Sequence, residues 1–305
     1  MSAPVRRGNV EQRPVVGRVA IVGVGLIGGS LGMALLRHGV AEEVVGVDRD
    51  PEVISAAVRR GAVHRGGTGL SLVEGADVVV VAVPVGAIPD TVVALAPYLG
   101  ADAVVTDVGS VKEPIVRAIE ERLPGVRYVG GHPMAGSEGR GIEQADASLL
   151  DSRPFLLTPT ERTAEDVLAT VAAVVRRIGM RPVVLSPREH DALVARVSHL
   201  PYVVAVALTA AASSRDFTIA GPAYRDATRV AASPVEMWEE ICWMNRQEIL
   251  KAIEELEHAL AEVKAGLQGE ISLGEILRRA QDRRNQVAEV VRVCAQQNTA
   301  DEGNE

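Results

Sequence analysis

Cysteine, aromatic side chains, basic charge and long apolar runs are all scarce in this chain, and each shortage removes a class of protein. The two cysteines, Cys242 and Cys294, stand far apart without CxxC spacing. That excludes a disulfide scaffold or a zinc module and fits a reducing compartment, with both residues ordinary thiols. Aromatics are 3% of the residues while hydrophobics are 47%, so the apolar surface is Val, Ala, Leu and Ile, the composition of buried parallel strands and close-packed helices. The formal net charge is −8, and no Lys/Arg cluster is dense enough to make nucleic acid a partner. The N-terminal MSAPVRRGNVEQRPVVGR lacks the apolar stretch of a signal peptide, and the longest apolar runs, 78–85 and 202–212, fall short of the roughly 18 residues that span a bilayer. No membrane partner is expected, and a cytoplasmic location follows. No histidine or cysteine pair near the glycine-rich segments has metal-ligand spacing, so no metal is expected.

What the chain has in quantity is alternation. At 305 residues two domains are expected, because single cores rarely grow beyond about 250 to 300 residues. From Arg18 the sequence runs VAIVGVG, then LIGGSLGMALLRHG, then EEVVGVD, a strand, a helix and a strand. Further strands are expected at 76–84, 102–110, 127–133, 153–159 and 180–187, with helical patterns starting at Pro51, Ile88 and Ala164 between them. Alternating β and α units with near-continuous Val/Ile strands predict a parallel sheet covered on both faces. After Ser186 the pattern is helical throughout. Ile249, Ile253, Leu256, Leu260 and Val263 make one apolar stripe, suited to an internal core or to a subunit interface. The boundaries expected are 16–186 and 187–296, with tails at 1–15 and 297–305.

Gly23, Gly25 and Gly28 follow a strand and open a helix, which is the setting that gives a GxGxxG string its meaning. Gly23 allows the tight turn, Gly25 lets the backbone approach a pyrophosphate, and Gly28 lets the helix pack on the strand. Leu26 and Ile27 open the helix whose N-terminal N–H groups would meet the phosphates. About twenty residues on, Asp48 is placed to accept the ribose hydroxyls and to repel a 2′-phosphate. NAD is therefore expected rather than NADP, with the adjacent Arg49 the one residue that favours the phosphate. Val83 and Pro84 end a strand where the loop would cover the cofactor, although Pro84 also reads as a simple strand terminator. Together these features describe an α/β Rossmann-type dinucleotide-binding domain.

Two further segments end strands: DVGSVK with Asp107, Gly109 and Ser110, and GGHPMAG with His132. Carboxyl ends of strands in an open α/β sheet line the ligand crevice, so Ser110 and His132 should face the nicotinamide end, with Asp107 and Gly109 beside the cofactor. The glycines around His132 are expected to let substrate and nicotinamide come close.

In this order, VAIVGVGLIGGSLG, TDVGSVK, GGHPMAGSE, RVSHLPYVVA and YRDATRVAASPVEMWEEI resemble the prephenate and arogenate dehydrogenases of tyrosine biosynthesis. The likeness covers nearly the whole chain. It implies a second domain that is all-α and serves in dimerisation, hence a homodimer. It also implies an oxidative decarboxylation of prephenate or arogenate, with a hydride passed to NAD. By the same resemblance His132 is the catalytic histidine that takes the ring hydroxyl proton, and Ser110 orients that histidine and the hydroxyl. Arg229 grips a substrate carboxylate, with Asp226 orienting it, and Glu138 lies at the site entrance. His199 lines the ligand wall. Where many relatives carry a second histidine this chain has Tyr202, which leaves the choice between a keto-acid and an amino-acid side chain open. His38, His64, His190 and His258 are read as structural or exposed. Two alternatives remain: a dehydrogenase of the β-hydroxyacid type, disfavoured because Lys251 and Lys264 sit on a charge-patterned helix, and a non-catalytic NAD sensor. No room is expected for an ACT domain or a fused chorismate mutase.

Overall fold

The structure, a computed structural model, describes residues 14–136 and 139–301. Eight strands form one sheet: β1 (Val16–Val22), β2 (Ala41–Val47), β3 (Arg65–Gly67), β4 (Val78–Val81), β5 (Val104–Asp107), β6 (Tyr128–Pro133), β7 (Pro154–Thr158) and β8 (Arg181–Val184). Their order is β3-β2-β1-β4-β5-β6-β7-β8. The crossovers are carried by α1 (Leu26–Arg37), α2 (Pro51–Arg59), α3 (Ile88–Leu95), α4 (Glu113–Arg122) and α5 (Glu165–Arg177). Val19, Ala20, Ile21, Val79, Val81 and Val105 are fully buried, and two apolar cores lie one on each face of the sheet. Near-continuous Val/Ile strands are what a sheet covered on both sides requires.

The sheet departs from the all-parallel expectation at one pairing. β6 and β7 run antiparallel, with Pro133 opposite Phe155 and Gly130 opposite Thr158, whereas β7 and β8 are parallel. Between β6 and β7 the described residues hold two short 3-10 turns, Ile142–Gln144 and Ala147–Leu149, and no crossover helix. A chain that is not carried back across the sheet must enter the next strand at the end where the last one stopped.

Beyond β8, Ser186 starts the helical part with a capping box, accepting from Glu189 N while the Glu189 side chain accepts from Ser186 N. There follow α6 (Pro187–Val194), α7 (Leu200–Ala211), α8 (Pro222–Thr228), α9 (Val235–Met244), α10 (Arg246–Gln268) and α11 (Leu273–Asp301). Between α6 and α7 the helix widens into a π turn over Ala195–His199. Leu200 N–H reaches Ala195 O, five residues back, and the next residue, Pro201, has no N–H with which to continue an α ladder. The continuous helix Pro187–Ala211 is long and apolar enough by composition to cross a membrane, which short apolar runs in the sequence did not suggest. Its buried His190, Asp191 and His199 are instead hydrogen-bonded within the fold. The α10 stripe serves two surfaces: Ile249 is buried at its start, and Leu260 is 57% exposed.

Candidate active site

The glycine turn has the form a dinucleotide needs. Gly23 has φ +93, and an added Cβ would lie 2.6 Å from Ala82 O. A Cβ on Gly28 would lie 2.0 Å from Gly23 O, so only hydrogen fits where helix meets strand. Gly25, by contrast, has nothing within 4 Å of an added Cβ, and as N-cap of α1 it makes no side-chain cap bond. The first N–H groups of α1, at Leu26 and Ile27, therefore face an open cradle. Asp48 closes β2, its Oδ2 accepting from Val24 N at 3.0 Å and its Oδ1 from Asp50 N at 3.1 Å. It is thereby fixed beside the turn, with Arg49 exposed next to it. Val83 packs on the core while Pro84 is exposed and leads into a 3-10 turn toward α3. Gly86 N in that turn donates to Glu240 Oε2 of α9 at 3.2 Å, tying the helical part to the loop. These residues fit NAD.

Asp107 is placed differently from the expectation. It is fully buried, its Oδ1 paired with Lys112 Nζ and accepting from Gly109 N at 2.6 Å, while Tyr128 OH donates to Oδ2 at 2.5 Å. Nothing of the carboxylate is left for a cofactor; it ties the ends of β5 and β6 together. Lys112 Nζ also donates to Gly131 O at 2.9 Å, so a buried charge pair is satisfied by further bonds, as it must be. A Cβ on Gly109 would lie 2.7 Å from Ile88 Cδ1, so that side chain would have to shift to admit one.

His132 lies in β6, only 8% exposed. The glycines before it serve packing rather than ligand approach: a Cβ on Gly130 would be 2.3 Å from Thr158 Oγ1, and one on Gly131 2.4 Å from Asp107 O. Only past the strand, at Gly136, is there nothing within 4 Å. His132 Nδ1 lies 2.8 Å from His190 Nε2, and His190 Nδ1 lies 2.7 Å from Asp191 Oδ1. Ser110, half-buried, makes no hydrogen bond to His132; the group in contact with the imidazole is His190, a residue the sequence assigned to structure or surface. Asp191 reaches across to α4, accepting from Lys112 N at 2.7 Å and Glu113 N at 2.9 Å, and so caps a helix that has no cap of its own. Asn245 Nδ2 donates to Asp191 O at 2.9 Å and lies 3.0 Å from His199 Nδ1.

His190 and His199 are nine positions apart, about two and a half turns of a regular α-helix, which would set them on opposite sides. The π turn narrows that offset, and Asn245 touches both His199 and the backbone of Asp191. Wide turns of this type recur at functional sites. Burial, then the neighbouring His190, Lys112 and His199, holds the His132 pKa well below 6.5. His190 is held down at about 2, by burial first, and His199 at about 4 by burial, against a smaller raising by Asp191. All three rings are neutral at pH 7.

His199 stands edge-on to Trp238 with centroids 6.0 Å apart, and Tyr202 stacks flat on the same indole at 3.8 Å. Arg229 begins the 3-10 turn after α8 and, like Asp226, is exposed. No hydrogen bond or ion pair joins Asp226 to Arg229 among the described residues, so the orienting role expected of Asp226 has no contact behind it. Glu138 lies outside the described residues. Lys112, His190, Asp191, Trp238 and Asn245 were missed. His190 and Asp191 directly follow Arg188 and Glu189 at the polar start of α6, so nothing in the sequence set them apart from their neighbours.

Comparison with known proteins adds the family. Residues 31–186 match the model for the nucleotide-binding domain of prephenate dehydrogenase, and residues 186–280 match that for its dimerization domain. The chain is 33% identical to the cyclohexadienyl dehydrogenase of Zymomonas mobilis, over 81% of this chain and 86% of that one. It is 30% identical to the prephenate dehydrogenase of Bacillus subtilis over 78% of this chain, and spans 66% of that longer protein. Among solved structures it is similar to the prephenate dehydrogenase of A. aeolicus in complex with hydroxyphenyl propionate and NAD+, with a TM-score of 0.83, 34% identity and coverage of 92% of this chain and all 100% of that one. A Synechocystis arogenate dehydrogenase superposes with a TM-score of 0.77 at 31% identity, covering 88% of this chain and 99% of that one. With a glycine turn that fits NAD, a buried neutral histidine at the end of β6 and both domain models matched in sequence, the chain belongs to the prephenate dehydrogenase family and is an NAD-dependent oxidoreductase.

Proposed function

We propose that the protein oxidatively decarboxylates prephenate to 4-hydroxyphenylpyruvate, arogenate to tyrosine, or both, as a step of tyrosine biosynthesis, with residues 16–186 holding NAD and residues 187–296 completing the substrate site. The observation that carries this is His132, neutral and buried at the carboxyl end of β6. It sits in the same sheet whose first strand leads into the glycine turn. When bound, NAD supplies the acceptor for the hydride that leaves the ring carbon bearing the hydroxyl. His132 takes the hydroxyl proton as that carbon becomes a carbonyl, and a neutral imidazole suits the task. The bond to the ring carboxylate then breaks, carbon dioxide leaves, and its bonding electrons make the ring aromatic, giving a phenolate to which His132 returns the proton. Ser110 lies at the end of β5, beside the substrate hydroxyl. Arg229 offers a planar guanidinium for a carboxylate, with Asp226 just before it in α8; for Glu138 a part at the entrance rests on the family resemblance alone. His199, Tyr202 and Trp238 form the wall against the substrate side chain.

The helical part supports a homodimer in addition. It matches a dimerization domain, and it leaves Val206, Leu208, Ile219, Leu260 and Leu267 exposed, more apolar surface than a lone copy needs. A cytoplasmic site of action fits a reduced thiol such as Cys242.

The purified protein with NAD should reduce the cofactor on addition of prephenate, arogenate or both, followed as NADH absorbance. His132→Asn should lower kcat by roughly 10² to 10⁴ with NAD affinity unchanged. No turnover of either acid by the unaltered protein would defeat the reading.

A further inference from the structure

Behind His132 stands a row of hydrogen bonds whose directions follow from its far end. Asp191 Oδ1 accepts from Lys112 N at 2.7 Å, and Oδ2 accepts from Glu113 N at 2.9 Å. Backbone amides cannot reverse, and two of them donating to the two oxygens favour the carboxylate over the acid, against the upward push of burial on its pKa. His190 Nδ1, 2.7 Å from Oδ1, must then carry the hydrogen. In a neutral ring with its hydrogen on Nδ1, Nε2 is bare. That Nε2 is 2.8 Å from His132 Nδ1, which must donate to it.

We propose that His190 and Asp191 are positioning residues that lock His132 in its Nδ1–H tautomer, so that a bare Nε2 meets the substrate hydroxyl. The inference rests on the reading of His132 as the proton acceptor, and it supplies what that reading lacks. An imidazole in water favours the other tautomer, with hydrogen on Nε2, which would present a donor to a hydroxyl that must itself donate. In the reaction the substrate O–H bond breaks and its proton goes to Nε2; no bond within His190 or Asp191 breaks. The imidazolium so formed keeps its Nδ1–H directed at His190, with the Asp191 carboxylate one ring further on. That negative charge offsets the low proton affinity that burial and Lys112 impose on His132. The arrangement differs from a Ser-His-Asp triad by one inserted imidazole, and the stake is similar, since losing the correct tautomer there costs about 10⁴ in kcat.

The test is long-range ¹⁵N–¹H spectroscopy of histidine-labelled protein with NAD bound, the His132 signals being identified by their loss in His132→Asn. His132 should show a protonated Nδ1 and a bare Nε2 near neutral pH. His190→Phe should move the hydrogen to Nε2 and lower kcat by about 10² to 10³, within the span of general-base effects, while KM and NAD affinity stay within about twofold. His190→Gln, whose carbonyl accepts from His132 while its amide donates to Asp191, should recover kcat to within about tenfold of the unaltered protein. Should His190→Phe fail to fold, the spectrum of the unaltered protein decides alone. Hydrogen on Nε2 there, or equal kcat for the Phe and Gln variants, overturns the proposal while leaving His132 as base. Full activity in His132→Asn would instead remove the proton-acceptor reading itself.

Discussion

His190 and His199 fold into positions where burial holds them neutral, at about 2 and about 4, whereas unfolded histidines titrate near 6.5. Below that value the unfolded chain binds more protons than the folded one, so stability falls with falling pH, by about 1.4 kcal/mol per pH unit for each such ring. The contribution is whole above pH 6.5 and is lost progressively below it, down to the folded values. Asp191 acts in the opposite sense, because burial raises its carboxyl above 3.8 and the folded form gains its proton first. With two or three histidines against one carboxyl, the urea midpoint should drop between pH 6.5 and 5. A midpoint flat over that range would show that these rings are protonated, or solvated, in the fold. At this scale the sequence marked His132 from its place at a strand end and read His190 as structural or exposed, without the contact it makes to His132. A histidine inside a helix carries no mark of what it touches, and its partner is 58 residues away.

Helix α1 shows how closely an element is bound to one residue type. A methyl on Gly28 would lie 2.0 Å from the backbone oxygen of Gly23 and 3.1 Å from both Ala82 Cβ and Ile21 Cγ2. None of these can yield without moving the strand or the turn. Gly28→Ala should therefore push the N-terminus of α1 off the turn, weakening NAD binding at least tenfold and costing about 1 to 3 kcal/mol of stability as overpacking does. Calorimetric titration with NAD and a thermal melt would check both, and unchanged NAD affinity would mean that the helix end does not hold the phosphates. The motif was legible because its constraints are local, all within a strand, a turn and a helix. The reversal at β7 was not, since antiparallel and parallel strands of Val, Leu and Phe look alike and the decision lies in the connection. Nor was the π turn, whose cause, Pro201, is visible in the sequence but whose effect is to rotate His199.

Taken as a whole molecule, the two parts differ in how much core they own. Each face of the sheet has an extensive apolar core, but the helical part's own cluster has only Ala195, Ile249 and Ala252 fully buried among the described residues. Ile241 of α9 belongs to the core of the sheet instead, so the helices lean on the first domain and on whatever covers their outer face. If the proposed homodimer forms through the outer face of α10, it would cover Leu260, which is 57% exposed there. Leu260→Asp should shift the protein from dimer to monomer in sedimentation velocity at micromolar concentration. An unaltered protein that sediments as a monomer would remove the dimer.

The order of strands and helices apart from the short β3, the nucleotide turn, the acidic end of β2 and the histidine at the end of β6 were set by the sequence alone, because each depends on periodicity or on residues within a few positions of one another. The tertiary structure decided what those features do for one another. It spent Asp107 on Lys112 and Tyr128 rather than on a cofactor, and used Gly130 and Gly131 for strand packing. It also brought His190 and Asp191 behind His132. Such assignments depend on which buried polar groups find partners across long stretches of chain, and a buried charge or ring nitrogen takes the partner that the fold brings to it.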